Sequence, residues 1–264
     1  MNDNDHRRFE LETMTTAEAR ALLSGVKAAL IPIGSTEQHG TNMTMNTDTR
    51  LAQAMCTKLG AAMYPDLVVL PPISVGISYH HMAFAGSMTL SPATLQAVLF
   101  DYIRSMKKHG VQRFILMNGH GGNQSALSSA ATVALHELEV EVVNVFYWNL
   151  ATEEIKQAAV TERYGHACEI EASFGLYLDS SIVRSDKLRT STLHEYPMPY
   201  SGLEAGPKVD YPYPWQYLTT DGSLGDATQA SREKGEALIE LIAGRLQTFI
   251  SSFIVRGDTY AAGK

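Results

Sequence analysis

The sequence predicts a single α/β domain, a mostly parallel sheet flanked by helices. Short apolar runs that stop at turn residues alternate along the chain with segments of helical spacing. The 264 residues, 45% hydrophobic and 19% charged, suit one large core. The domain is read over 1–264, with its core over about 28–254.

Ala28–Ile33 is an apolar run ended by Gly34 and Ser35, too short for a helix, and reads as a buried strand. Helical spacing follows over Asp48–Met63. Leu67–Leu70 is a second strand, stopped by Pro71 and Pro72, which cannot continue a ladder. Ser91–Pro92 opens a helix with a capping side chain and a proline at the first position, and Leu95, Leu99, Ile103 and Met106 mark its apolar face down to Gly110. Arg113–Met117 and Val140–Tyr147 are strands on either side of a helix over Gln124–Leu138. Gly165–Leu178 reads as a helix, Pro197–Gly225 as a long loop rich in Pro, Tyr and Gly, and Ala227–Phe253 as a closing amphipathic helix. A loop this long and aromatic is a lid or a subunit contact.

The formal charge of -7 and pI near 5.7 give phosphate backbones no general attraction, so no nucleic-acid partner is expected. Cys56 and Cys168 each fall in a helical segment, which argues against a disulfide framework. Residues 1–10 lead into no apolar run, and no stretch approaches the roughly 18 apolar residues of a membrane span. A cytoplasmic protein with no membrane partner is the expectation.

Three clusters carry chemistry. In Gly34-Ser35-Thr36-Glu37-Gln38-His39-Gly40, followed by Asp48, three possible metal ligands fall within twelve residues, although Glu37 and His39 are also ordinary loop residues and Asp48 an ordinary helix-start acid. Asn118-Gly119-His120-Gly121-Gly122-Asn123 joins a strand to a helix. In a parallel sheet that loop and the Glu37 loop share the carboxyl edge, where ligands bind. The amides of Gly121, Gly122 and Asn123 are candidates for binding substrate at a developing oxyanion, or the glycines merely permit a tight turn. In the third cluster, Gly165-His166-Ala167-Cys168-Glu169-Ile170-Glu171-Ala172-Ser173, a helix would set His166 and Glu169 on one face and turn Glu171 about 200° away. Glu169 is therefore the expected ligand. His81, after the second strand, is the preferred pocket histidine over His80, while His109, His136 and His194 read as surface residues.

Taken in order, these motifs resemble the signature of the creatininase family over about Ala28–Asp179. The resemblance implies an α/β fold, a binuclear centre of two divalent ions (Zn, Mn or Fe(II)), hydrolysis of C–N bonds in small cyclic amides or formamides, and homo-oligomers, often hexamers. It makes Glu37, His39, Asp48, His120 and Glu169 the ligands, Asp48 the bridge, His166 the proton shuttle and His81 a substrate-binding residue. One departure stands out: creatininase itself is expected to carry a glutamate two positions after the motif histidine, where this chain has Gly122. Neither Trp148 nor Trp215 clearly matches the aromatic residues that close over creatinine, so creatinine is not the expected substrate. Peptide cleavage, ring C–C cleavage of a ketone, and a catalytically silent assembly protein are the competing readings.

Overall fold

The computed structural model describes residues 8–195, 198–199, 209 and 211–261. Helix α1 (Thr16–Leu23) opens with Thr15, whose hydroxyl accepts from the Glu18 amide while Glu18 reaches back, a complete capping box. Strands β1 (Ala28–Ile33), β2 (Leu67–Val69), β3 (Arg113–Asn118) and β4 (Glu141–Phe146) form one sheet in the order β2-β1-β3-β4, with every pairing parallel. Helices α2 (Thr47–Ala62), α3 (Pro92–Lys108) and α4 (Gln124–Glu137) make the crossovers between successive strands. Helices α5 (Thr152–Ala158), α6 (Glu169–Leu178) and α7 (Arg232–Ala261) follow the sheet.

Side chains alternate across β1 and divide the core into two layers. Ala28 and Leu30 face α2, α6 and α7. Ala29, Ile31 and Ile33 face α3 and α4, meeting Leu95, Leu99 and Ile103 from α3 and Leu127, Ala130 and Ala134 from α4. Both faces of the sheet are covered, which is why β1 and β3 read as unbroken apolar runs.

Helix α7 is long and apolar enough over Arg232–Val255 to cross a membrane. It nevertheless inserts Leu238, Ile239, Ile242, Leu246, Ile250 and Ile254 into the α2–α6 layer, so its apolarity is that of a core helix.

The expected strands and first three long helices stand where the sequence places them, within a residue or two at each end. Two boundaries differ. The helix read over Gly165–Leu178 starts only at Glu169, and the closing helix starts at Arg232 after a 3₁₀ turn at Ala227–Gln229. The loop read over Pro197–Gly225 falls partly outside the described residues, but Trp215–Tyr217 forms a 3₁₀ turn within it.

Candidate metal centre

Strand order reverses between β1 and β3, so the loops leaving their carboxyl ends diverge and open a crevice. Glu37 and His39 leave β1 and His120 leaves β3, and α2 delivers Asp48 from its first turn. Two glycines let that turn come so close. A methyl on Gly34 would lie 2.3 Å from the Thr49 amide nitrogen, and one on Gly119 would lie 2.4 Å from the Asp48 carbonyl oxygen.

Glu37 and His39 are fully buried, Asp48 and His120 nearly so. His39 Nδ1 lies 3.1 Å from the Glu37 carbonyl, to which it donates, leaving Nε2 facing Asp48 Oδ1 at 3.1 Å and Glu171 Oε2 at 3.7 Å. His120 reaches Asp48 Oδ2 through Nδ1 at 3.2 Å and Glu37 Oε2 through Nε2 at 3.2 Å. Asp48 therefore stands between His39 and His120. Ser78 holds Glu37 Oε2 with its hydroxyl.

Glu37 Oε1 and Asp48 Oδ2 are buried with no hydrogen-bond partner among the described residues. Among the described residues, Glu37, Asp48 and Glu171 form ion pairs with histidines only. Three buried carboxylates facing imidazole nitrogens, without a lysine or arginine beside them, are a donor set that fits divalent cations. Four overlapping groups of buried or half-buried ligand atoms converge here: Glu37–His39–Asp48, His39–His166–Glu171, Glu37–His81–His166 and Glu37–His80–His120.

The electrostatics agree. Burial pushes His39 and His120 down, but Asp48 and Glu171 on the first, and Glu37 and Asp48 on the second, hold both well above the ordinary imidazole range. Burial likewise opposes ionisation of Asp48 and Glu37, yet the facing histidines keep both carboxyls below their usual values. In the absence of metal, protons stand in for cations.

Glu169 is not part of this cluster. Its Oε1 accepts from the amides of Val160 and Thr161 at 2.6 and 3.0 Å, and its Oε2 from Lys234 Nζ at 2.5 Å. Glu171 takes the place expected of it, and the cause is local. His166, Ala167 and Cys168 precede the helix, with Ala167 in the left-handed region at φ 49° and Cys168 extended. Helical spacing thus does not connect His166 to Glu169. Glu171, at the third position of α6, reaches back to accept from the Ala167 amide at 2.6 Å and presents the same oxygen to His39.

His166 itself is in the cluster, its ring centroid 4.4 Å from that of His39 and its Nδ1 3.7 Å from Glu37 Oε1. Burial and the neighbouring His39 press it below the ordinary imidazole value, against the pull of the carboxylates. His81 Nε2 is 3.3 Å from Glu37 Oε1. His80 joins it, stacked on His120 at 5.5 Å, and burial reinforced by His120 pushes it down to about 4.

The glycine loop behaves differently from an oxyanion hole at Asn123. That amide is spent on the His120 carbonyl at 3.2 Å, and the side chain ties Gly34 O to the Ile77 amide. Asn123 is a brace between loops. Gly121 is exposed, and Gly122 backs the histidines: a methyl there would lie 2.2 Å from Ile77 O and 2.5 Å from His120 Nε2. A larger side chain at 122 would meet backbone at Ile77 as well as the His120 ring.

Trp215, which the sequence offers only as one of several loop aromatics suited to a flat ligand, lies beside the cluster. Its ring lies 4.7 Å from His81, 5.3 Å from His166 and 5.6 Å from His80, and its Nε1 donates to Gly222 O at 2.8 Å. Trp148, by contrast, packs in the core against Phe174. The only signal for Trp215 was the aromatic density of its loop. His109, His136 and His194 are exposed, as expected.

Comparison with known proteins agrees with this geometry. The family model described as creatinine amidohydrolase matches residues 12–250. The chain is 34% identical over 254 residues to the mycofactocin precursor peptide peptidase of Mycolicibacterium smegmatis, covering 92% of this chain and 93% of that protein. It is 30% identical to the creatinine amidohydrolase of Pseudomonas putida, covering 85% and 88% of the two chains. The solved structure of a manganese form of creatininase superposes with a TM-score of 0.78 at 28% identity, over 93% of this chain and 98% of the other. This chain belongs to the creatininase family of metal-dependent hydrolases.

Proposed function

We propose that this protein hydrolyses an amide C–N bond with the help of two divalent ions, which Glu37, His39, Asp48, His120 and Glu171 would hold. The observation that carries the reading is the pair of buried carboxylate oxygens left without a hydrogen bond, Glu37 Oε1 and Asp48 Oδ2, set among imidazole nitrogens.

When bound, such ions supply a polarised carbonyl and a water acidified toward neutrality. Glu37, Asp48 and Glu171 contribute about three negative charges, which two divalent cations and a hydroxide would balance. His166, with Nδ1 facing the cluster, takes the proton of the attacking water and returns it to the leaving nitrogen. Trp215 roofs the histidines, shields them from bulk water and offers a flat face to a planar amide.

A small cyclic amide, lactam or formamide is the first substrate class. A peptide bond is the second, favoured by the identity to the mycofactocin precursor peptide peptidase. A homo-oligomer in the cytoplasm, acting on a small molecule without nucleic acid or membrane, completes the reading. The test is a panel of lactams, formamides, creatinine and short peptides, run on metal-loaded and chelated protein. Metal-dependent turnover of one class supports the reading and selects the bond, and no turnover of any amide by fully loaded protein refutes it.

A further inference from the structure

Gln38 lies between two of the proposed ligands, is 5% exposed, and has no atom to offer a metal once its amide is paired. Backbone groups settle which way that amide points. Oε1 accepts from the Gly40 amide at 2.9 Å, and Nε2 donates to the Gly222 carbonyl at 2.8 Å. A backbone N–H can only donate and a carbonyl can only accept, so the oxygen and nitrogen cannot be exchanged.

The orientation of the amide then dictates two imidazoles. Nε2 has two hydrogens; the one not used on Gly222 points to His81 Nδ1 at 2.8 Å. His81 Nδ1 must accept, so its proton sits on Nε2, the ring atom 3.3 Å from Glu37 Oε1. His166 Nε2 is also near the amide nitrogen, at 3.0 Å, but both amide hydrogens are taken. It donates instead to the Gln38 carbonyl at 2.8 Å, which leaves its Nδ1 bare toward the cluster.

We propose that Gln38 is a positioning residue that fixes the tautomers of His81 and His166 so that one turns an N–H and the other a lone pair toward the Glu37 side of the centre. Both rings carry hydrogen on Nε2, yet they present opposite faces. His81, with Nδ1 used on Gln38 and hydrogen on Nε2, has no lone pair left for an ion; His166 is ready to accept a proton at Nδ1. The catalytic consequence rests on the hydrolase reading above, whereas the tautomers do not.

The test uses zinc-loaded protein with ¹⁵N-labelled histidine, comparing wild type with Gln38→Met, which cannot donate, and Gln38→Glu, which places an acceptor opposite His81 Nδ1. The expected wild-type spectrum shows hydrogen on Nε2 of both His81 and His166. In Gln38→Glu the His81 proton moves to Nδ1, and in Gln38→Met its two tautomers mix. Zinc content stays at the wild-type value in Gln38→Met, while kcat falls about tenfold or more with KM changed less than threefold. Tautomers unchanged in both variants would overturn the proposal, as would shifted tautomers with unchanged kcat. Wild-type protein that shows the expected tautomers but cleaves no amide would refute the hydrolase reading alone, since the spectrum decides the tautomer claim by itself.

Discussion

Glu169 and Glu171 are both buried, two positions apart on one helix, and they serve opposite purposes. Glu169 ties Lys234 on α7 to the 160–161 turn, and Glu171 faces His39. Glu169→Gln therefore weakens a charged hydrogen-bond set, and unfolding experiments should find about 2 kcal/mol lost. Burial alone does not distinguish the two residues, and the sequence pointed to the wrong one because Ala167 adopts a left-handed conformation that no propensity scale assigns to alanine. Glu37, His39, Asp48, His120 and His166 were legible because each sits in a motif next to a strand end or helix start. The histidines also set a pH dependence. In metal-free protein His39 and His120 bind a proton more tightly folded than unfolded, so their stabilisation is complete below the ordinary imidazole pKa and is lost as pH rises through their raised values. Chelated protein should lose melting temperature from neutral pH upward. Metal replaces those protons, so its affinity should grow over the same rise, and titrations with zinc at pH 6 and pH 8 check the sign.

At the scale of elements, α2 is the device that brings Asp48 into the crevice, and it depends on bare backbone at Gly34 and Gly119. Gly34→Ala forces backbone against backbone, and should cost about 1–3 kcal/mol together with metal affinity, measured by denaturant unfolding and by equilibrium dialysis. Helix α7 makes the opposite kind of contribution, far from the chemistry. Ile242 is fully buried between α7 and the sheet layer, and Ile242→Ala should cost about 2–5 kcal/mol with the metal content intact. The alternation of strands and helices was readable because both layers of the core impose simple apolar periods. The late start of α6 and the path of Trp215 were not, since each depends on contacts between segments distant in sequence: His166 bridges to Leu224, and Trp215 hangs from Gly222.

For the molecule as a whole, a four-strand parallel sheet with a reversal between β1 and β3 gathers side chains from positions 37 to 171 at one crevice. Among the described residues, three buried carboxylates have no lysine or arginine partner, and the relatives of this chain are metal-dependent hydrolases. Cations are what the proposed reading places there. The measurement that tests this most directly is elemental analysis of zinc and manganese per chain, after resupply, in wild type, Glu171→Gln and Glu169→Gln. The account predicts about two ions in wild type and in Glu169→Gln, and about one or fewer in Glu171→Gln. Well under one ion in the wild type, or loss in Glu169→Gln with Glu171→Gln unaffected, would contradict it.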